Sequence, residues 1–157
     1  MRVTREYQYR VDAEGRIFHD GSEVLDPLTL RFFLRAMTRT PEGRWLVVCQ
    51  GEQNWFESER TPFVVQRVRP ILRDGGVDGL ELTLAGDYRE PLDPTTLEGA
   101  DGWLYCRVRR GAFPARFGRL ALQQLGPHLS DEGGRPVLVL GGRRYPIPER
   151  ERIPEPT

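Results

Sequence analysis

Residues 26–49 read DPLTLRFFLRAMTRTPEGRWLVVC and place an amphipathic helix directly before a buried strand. Asp26 and Pro27 have the form of a helix N-cap followed by proline at the first helical position, where its missing N–H costs nothing. The apolar residues behind them recur at helical spacing, at Leu30, Phe33, Leu34 and Met37. We therefore predict a helix over about residues 27–39 and a strand over residues 44–49.

Further strands are predicted on both sides of this unit, because short apolar or alternating stretches lie between turn signals. They cover residues 6–11, 16–19, 54–57, 62–68, 80–84, 104–108, 136–140 and 143–147. A second helix is predicted over residues 114–127, entered at Pro114, and a glycine-rich loop over residues 73–79. The sequence thus predicts an α+β fold with mostly antiparallel sheets and two main helices.

The second half of the chain follows the plan of the first. One constant offset aligns Gly43 with Gly134 and Gly51 with Gly142, and the order of predicted elements agrees in both halves. We therefore predict one α+β domain, made of two repeated strand-helix-strand-strand units. The domain covers residues 1–147, and the two units cover about residues 6–68 and 80–147. The alternative is a coincidence within a strand-rich chain.

Composition excludes several classes of protein. The 157 residues include 23 basic and 23 acidic ones, whereas a nucleic-acid-binding protein usually has a basic excess. Every basic residue is arginine, which excludes Schiff-base chemistry by a lysine and a lysine-dependent P-loop. No stretch is apolar enough for a membrane span or a signal peptide, so we expect a cytoplasmic protein. The charged, proline-rich residues 148–157 predict a disordered tail.

The motifs of common enzymes are absent from the sequence. Cys49 and Cys106 stand singly in apolar stretches without metal-ligand spacing, and we expect two reduced buried thiols, with a long-range disulfide as the alternative. No serine lies in a nucleophile elbow, and no dinucleotide-binding glycine pattern follows a strand. We therefore predict no metal and no cofactor.

An arginine cluster is the first candidate site. It consists of Arg107, Arg109, Arg110, Arg116 and Arg119. If the predicted second helix begins at Pro114, Arg116 and Arg119 lie on one of its sides, and its N-terminus could fold back over the strand that carries Arg107 and Arg109. Guanidinium groups and helix N–H groups would then converge on an anion. The alternative is a solvated basic face.

A loop amide beside an indole is the second candidate site, at Asn54 and Trp55. Such a pair can contact a ligand, although asparagine more often caps a turn and tryptophan more often fills the core. His19 and Asp20 form a third candidate, an acid–base pair, but they lie on a predicted turn without a third partner.

Three stretches of the chain resemble the bacterial domain-of-unknown-function 1285 family. They are the hairpin at residues 10–21, the segment 59–65 (ERTPFVV), and the arginine-rich residues 108–119. Residues 4–15, with Gly51 and Asn54, also look similar to the uncharacterised-protein family 0598, or domain of unknown function 4505. The resemblance implies a fold of repeated β–α–β-type motifs and a small-ligand or signalling role, without an established activity or residue roles.

The leading functional hypothesis is a non-enzymatic module that binds a small anionic ligand, or a partner protein, between its two halves. Arg109, Arg116 and Arg119, with Asn54 and Trp55, are the residues proposed to bind the ligand. The first alternative is an enzyme of unfamiliar type that acts on a phosphate- or carboxylate-bearing metabolite, with His19 as base. The second is a structural or homo-oligomerisation domain. Its interface would use aromatic residues, namely Trp45, Trp55 and Trp103.

Overall fold

The computed structural model describes residues 5–157. The first half contains six strands and a helix, α1. In chain order these are β1 (Glu6–Val11), β2 (Ile17–His19), β3 (Ser22–Glu23), α1 (Pro27–Ala36), β4 (Thr38–Arg39), β5 (Trp45–Cys49) and β6 (Glu52–Glu57). The strands form a six-stranded sheet in the order β3-β2-β1-β6-β5-β4. The β1–β6 pair is parallel, and the other neighbours in this sheet are antiparallel.

Helix α1 begins as the sequence predicts. The carboxylate of Asp26 accepts a hydrogen bond from the backbone N–H of Thr29 at 3.2 Å, and Pro27 occupies the first turn. The helix ends at Ala36, earlier than predicted, because Thr38 and Arg39 pair with β5 instead. Its buried face packs into the core through Leu30, Phe33 and Leu34.

The middle of the chain contains β7 (Val64–Val65), β8 (Arg67–Arg73), β9 (Gly76–Leu84) and β10 (Tyr88–Pro91). Strands β8 and β9 form a long antiparallel hairpin, and β10 adds a third strand beside β9. The loop predicted over residues 73–79 is a tight turn at Asp74 and Gly75, both with positive φ. This pair of left-handed residues matches the twist of the two strands, which therefore continue almost to the turn.

In the second half, the predicted helix that begins at Pro114 is wrong. The elements of this half are β11 (Glu98–Ala100), β12 (Trp103–Val108), β13 (Phe113–Phe117) and helix α2 (Arg119–Leu125). Residues 114–117 are buried in β13, which pairs with β12 on one side and with β7 on the other. These long-range pairings outweigh the local helix signal at Pro114. Helix α2 begins only after Gly118, so Arg116 and Arg119 lie on different elements.

The last elements of the chain include one short strand within the segment 148–157, which is predicted as a disordered tail. They are β14 (Leu129–Glu132), β15 (Arg135–Leu140), β16 (Arg143–Pro146) and β17 (Glu149–Arg150), of which β14, β15 and β16 form a separate antiparallel sheet. Strand β17 pairs in parallel with β11 and completes a five-stranded sheet in the order β17-β11-β12-β13-β7. Beyond it, the guanidinium of Arg107 donates to the Glu155 carbonyl at 2.8 Å, and the Thr157 N–H donates to the Ala112 carbonyl at 2.9 Å. Several residues of the segment 148–157 therefore pair with the second half, and its predicted disorder stays a prediction.

The two halves share one hydrophobic core. An aromatic group spans their boundary: the ring centroids of Trp45 and Phe113 are 6.0 Å apart, and Phe63 lies within 6.2 Å of each. The α+β class and the mostly antiparallel sheets are confirmed. The predicted duplication stays a prediction, because the strands around α1 join one sheet whereas those around α2 belong to two.

The structure also bears on the predictions about the two cysteines and about membrane spans. Both thiols are free; Cys106 is buried, whereas Cys49 is partly exposed, contrary to the expected burial of both. Burial raises the pKa of the Cys106 thiol above its usual range. Neither helix in the described residues is long and apolar enough to cross a membrane.

Candidate functional site

A cleft of about 340 Å³ lies where the six-stranded sheet of the first half meets the five-stranded sheet of the second. Residues 10–13, at the end of β1, and residues 57–61, after β6, form one wall. Trp103 of β12 and Arg116 of β13 form the other. We name this space the Arg116 cleft. It lies at the boundary of the two halves, where the sequence-based hypothesis expected a ligand.

Arg116 is the most deeply buried charge of this cleft. It is 5% exposed and lies on β13, which is paired with β12 on one edge and with β7 on the other. Its Nη2 donates to the carbonyl oxygen of Ala13, whereas its Nη1 has no hydrogen-bond partner among the described residues. Burial lowers the pKa of Arg116, but a guanidinium stays charged at neutral pH. The cleft therefore contains a fixed cation with an unused donor.

Arg60 is a second cation in the cleft, and carboxylates orient it. Its Nη2 contacts Asp101 at 2.8 Å, and its Nη1 contacts Glu59 at 3.3 Å. The hydrogen bond that Arg60 donates to Asp101 raises the pKa of Arg60. Trp103 lies close to both cations, with its ring centroid 5.4 Å from the guanidinium carbon of Arg60 and 4.6 Å from that of Arg116. The Trp103 indole thus makes cation–π contacts with two arginines of the same cleft.

Unpaired polar atoms concentrate at this cleft. In the part of the chain that the structure describes, four buried side-chain atoms have no hydrogen-bond partner: Ser58 Oγ, Arg60 Nε, Tyr105 Oη and Arg116 Nη1. Ser58, Arg60 and Arg116 line the cleft, and Tyr105 pairs with Arg116 across β12 and β13. All four atoms are donors, and buried donors normally find partners. Their number at one place is the main observation about this site.

Tyr105 shows that these donors share one electrostatic environment. Its side chain is fully buried, and burial raises the pKa of its hydroxyl. The charges of Arg60 and Arg116 act in the opposite direction, so both guanidiniums lie near the phenol. At neutral pH the hydroxyl keeps its proton and can donate it to an acceptor.

The acidic residues around the cleft do not neutralise Arg116. Burial alone would raise the pKa of Asp12, but hydrogen bonds from the backbone and side chain of Arg16 and from the Glu14 N–H lower it. That carboxylate is therefore already engaged, with Arg16 Nε at 2.7 Å. Glu57 is exposed, and the Glu59 side chain is 87% exposed. The rim of the cleft is thus acidic, whereas its interior carries arginine and hydroxyl donors.

A second cleft, also of about 340 Å³, adjoins the first. The two spaces share the stretch from Glu57 to Arg60. Two arginines lie on indole rings in the second cleft: the guanidinium carbon of Arg44 is 3.8 Å from the Trp55 centroid, and that of Arg39 is 4.6 Å from the Trp45 centroid. We name this space the Arg44 cleft.

The structure separates the residues that the sequence proposed as a ligand site. Arg116 lines the Arg116 cleft, and Trp55 lines the Arg44 cleft. Asn54 is buried in β6, where its side-chain amide donates to the Val47 carbonyl at 3.1 Å. Arg109 donates to backbone oxygens at the end of α1, and Arg119 is exposed at the start of α2. Arg116 and Trp55 therefore lie in adjoining clefts, and the other three lie outside both.

Sequence reasoning did not select Ser58, Arg60, Trp103 or Tyr105 as site residues. One signal was present, because the stretch 59–65 carried part of the family resemblance. His19 lies outside both clefts; its Nδ1 is 3.0 Å from the Gln8 carbonyl, and its Nε2 is 3.3 Å from the exposed carboxylate of Asp20. Among the described residues, no group of three potential ligands could hold a metal ion.

Solved structures share the fold of this chain. A DUF1285 family protein from Silicibacter pomeroyi DSS-3 matches it with a TM-score of 0.65 and 20% sequence identity, over 92% of this chain and 83% of that protein. A DUF1285 family protein from Shewanella baltica OS155 matches with a TM-score of 0.55 and 13% identity, over 72% of this chain and 85% of its own. No family model and no curated protein matches the sequence.

These matches confirm the resemblance to the domain-of-unknown-function 1285 family at the level of the fold. The resemblance to the uncharacterised-protein family 0598 is not confirmed. Both matched proteins are described by an uncharacterised family, so the fold supplies no activity. The two clefts are therefore the basis for a proposed function.

Proposed function

We propose that this chain, which shares the fold of DUF1285 family proteins, is a non-enzymatic module that binds a small oxyanion-bearing molecule in the Arg116 cleft. The observation that carries the proposal is the group of unpaired buried donors on three residues that line the cleft, Ser58, Arg60 and Arg116. A buried polar group without a partner costs roughly 1–3 kcal/mol. These atoms are covered in the structure. A ligand recovers that cost when a small movement of the lining side chains exposes the donors to its acceptor oxygens.

The type of donor determines the type of ligand. Arg116 contributes a buried positive charge, and no ion pair joins it to a carboxylate of the described residues. Arg60 Nε adds a second charged donor and the Ser58 hydroxyl adds a neutral one, while the Tyr105 hydroxyl lies on the strand next to Arg116 but not in the lining of the cleft. Carboxylate and phosphate groups satisfy such a set, because they offer several acceptor lone pairs and a negative charge. The shared chemistry of the ligand is therefore an oxyanion.

The position of the cleft suits a signalling role. One wall belongs to the first half of the chain, whereas Trp103 and Arg116 belong to the second. A ligand that contacts both walls stabilises the arrangement in which they face each other. Binding of the ligand would then change how firmly the two halves of the chain contact each other.

The two alternative hypotheses have less support. An enzyme with His19 as base needs this residue beside a substrate, but it lies outside both clefts. An oligomer built on the tryptophans needs exposed indoles. Trp45 is buried, while Trp55 and Trp103 are half-buried beneath arginine side chains that line the clefts.

Isothermal titration calorimetry with inorganic phosphate and acetate tests the proposal. We expect saturable binding of at least one of these anions to the full chain. Arg116→Gln should weaken this binding roughly tenfold or more, because a hydrogen bond to a charged group contributes about 1.5–3 kcal/mol. The matched control is Arg119→Gln, since Arg119 is exposed outside the cleft; its affinity should equal that of the wild type.

A second variant guards against misfolding of Arg116→Gln. Ser58→Ala removes one unpaired hydroxyl and leaves both guanidiniums in place. We expect a smaller loss of affinity and a native near-ultraviolet circular dichroism spectrum. Binding that is equal in the wild type, Arg116→Gln and Ser58→Ala would refute the proposal, and so would the absence of binding at millimolar phosphate and acetate.

A further inference from the structure

The Arg116 cleft and the Arg44 cleft adjoin each other, and we name the two together the groove. Both are lined by Glu57, Ser58, Glu59 and Arg60, the segment that leaves β6. Strand β1 runs along the same groove, with Gln8 beside the Arg44 cleft and Arg10 beside the Arg116 cleft. These two residues point to the same face of the strand, and their spacing is about 7 Å. One oxyanion cannot fill both spaces.

The Arg44 cleft is a second cationic end. The guanidiniums of Arg39 and Arg44 are held over indole rings, and neither arginine forms an ion pair with another residue in the described range 5–157. A cation over an aromatic face is oriented while its N–H donors stay available to a ligand. Trp55 itself is fixed by a hydrogen bond from its Nε1 to Glu6 Oε1 at 3.4 Å.

The centre of the groove has the opposite charge. Glu57 and Glu59 line both clefts and are exposed, and the one cation of this shared segment, Arg60, is already paired with Glu59 and Asp101. A negative group placed between the two ends would therefore meet more carboxylate than free cation. Like charges at close range disfavour binding. The groove therefore offers a positive end, a negative centre and a second positive end.

We infer that the ligand is elongated and carries two anionic groups joined by an uncharged linker. One group accepts hydrogen bonds from Arg116 and its neighbouring donors, and the other contacts Arg39 and Arg44. The linker lies past Glu57 and Glu59. This inference rests on the proposed oxyanion site at Arg116 and adds the chemical class of the molecule that occupies it.

Two matched pairs of probes test the inference by calorimetry. Octanoate and suberate have the same chain length, but only suberate has a carboxylate at both ends; hexyl phosphate and hexanediol bisphosphate form the corresponding phosphate pair. We expect the two-ended member to bind at least roughly tenfold more tightly than its one-ended partner in at least one pair. Tripolyphosphate, which is negative along its whole length, should gain less over inorganic phosphate.

Variants at the second end separate this inference from the proposed function. Arg44→Gln, and the double variant with Arg39→Gln, should abolish the advantage of the two-ended probe and leave the one-ended probe unchanged. Arg143→Gln is the matched control, because Arg143 is exposed on β16. Arg116→Gln should weaken both members of each pair.

The possible results distinguish the two ideas. If the one-ended probes bind through Arg116 but the second charge adds nothing, the two-ended ligand is refuted and the oxyanion site stands. An advantage of suberate or the bisphosphate that survives in the Arg39→Gln, Arg44→Gln double variant also refutes it. If no probe binds, both the oxyanion site and the two-ended ligand are refuted.

Discussion

Arg109 and Met37, which lie in different halves of the chain, are joined by a hydrogen bond: Arg109 Nη1 donates to the Met37 carbonyl oxygen over 2.5 Å. The same nitrogen lies 3.3 Å from the Leu34 carbonyl. These oxygens belong to the C-terminal end of helix α1, where backbone carbonyls lack partners within the helix and the dipole favours a cation. Arg109 therefore attaches the second half to the end of the first helix.

Replacement of Arg109 by alanine should destabilise the protein. We expect a loss of about 2–3 kcal/mol in the free energy of unfolding relative to Arg110→Ala, because hydrogen bonds from a charged donor to the helix end are lost. Arg110 is the matched control: it also has positive φ but is exposed. Denaturant-induced unfolding measures both variants. Equal losses would show that the contact with α1 contributes nothing.

A close approach between Gly86 and helix α1 predicts a second sensitive position. A Cβ at Gly86 would lie 2.6 Å from the Leu30 Cβ and 2.8 Å from the Pro27 carbonyl oxygen, and the residue has a φ of +71°. Gly142 has a similar φ of +77°, but a Cβ there would have no neighbour within 4 Å. Both substitutions by alanine carry the backbone penalty, and Gly86→Ala also forces the helix away.

We expect Gly142→Ala to lower the free energy of unfolding by about 1–2 kcal/mol through left-handed backbone strain. Gly86→Ala should cost about 1–3 kcal/mol more, as overpacking does in other proteins. The shift in the midpoint of urea unfolding gives both values. If the two variants are equally stable, the loop around Gly86 yields to the added methyl group without strain.

The fold could be predicted where short-range signals and long-range pairing agree. Asp26 and Pro27 mark the start of α1 because the cap is made within one turn of the chain. Pro114 carries a similar signal, yet it lies in a strand, because β7 and β12 enclose the stretch that follows it. The sequence of residues 113–117 alone does not show that β7 and β12, which come from other parts of the chain, will pair with it.

The candidate site shows the same limit. Arg116 was selected as part of a helix entrance, but its place in the cleft depends on its burial within a sheet. Ser58 and Arg60 become relevant only because the segment after β6 lies against β12 and β13. From the sequence, Trp103 was proposed only as a residue of a possible interface. In the structure its ring contacts the guanidinium groups of Arg60 and Arg116. Such convergence depends on tertiary contacts between distant segments.

The raised pKa of Tyr88 predicts how the stability of the fold changes at alkaline pH. Burial, together with the charge of Glu90 and a 3.0 Å hydrogen bond to its carboxylate, raises the pKa of Tyr88 from 10.0 to about 12. Between these values the unfolded chain has lost the phenol proton and the folded chain still binds it. The free energy of unfolding should therefore fall as pH rises from 10 to 12, and the contribution of Tyr88 is fully present below pH 10.

Unfolding by urea at several pH values from neutral to strongly alkaline measures this dependence. Tyr88→Phe should flatten the decline without removing it, because Tyr9 and Tyr105 also have raised pKa values and remain in the variant. A Tyr88→Phe variant with the same slope as the wild type would mean that Tyr88 ionises alike in the folded and unfolded chains.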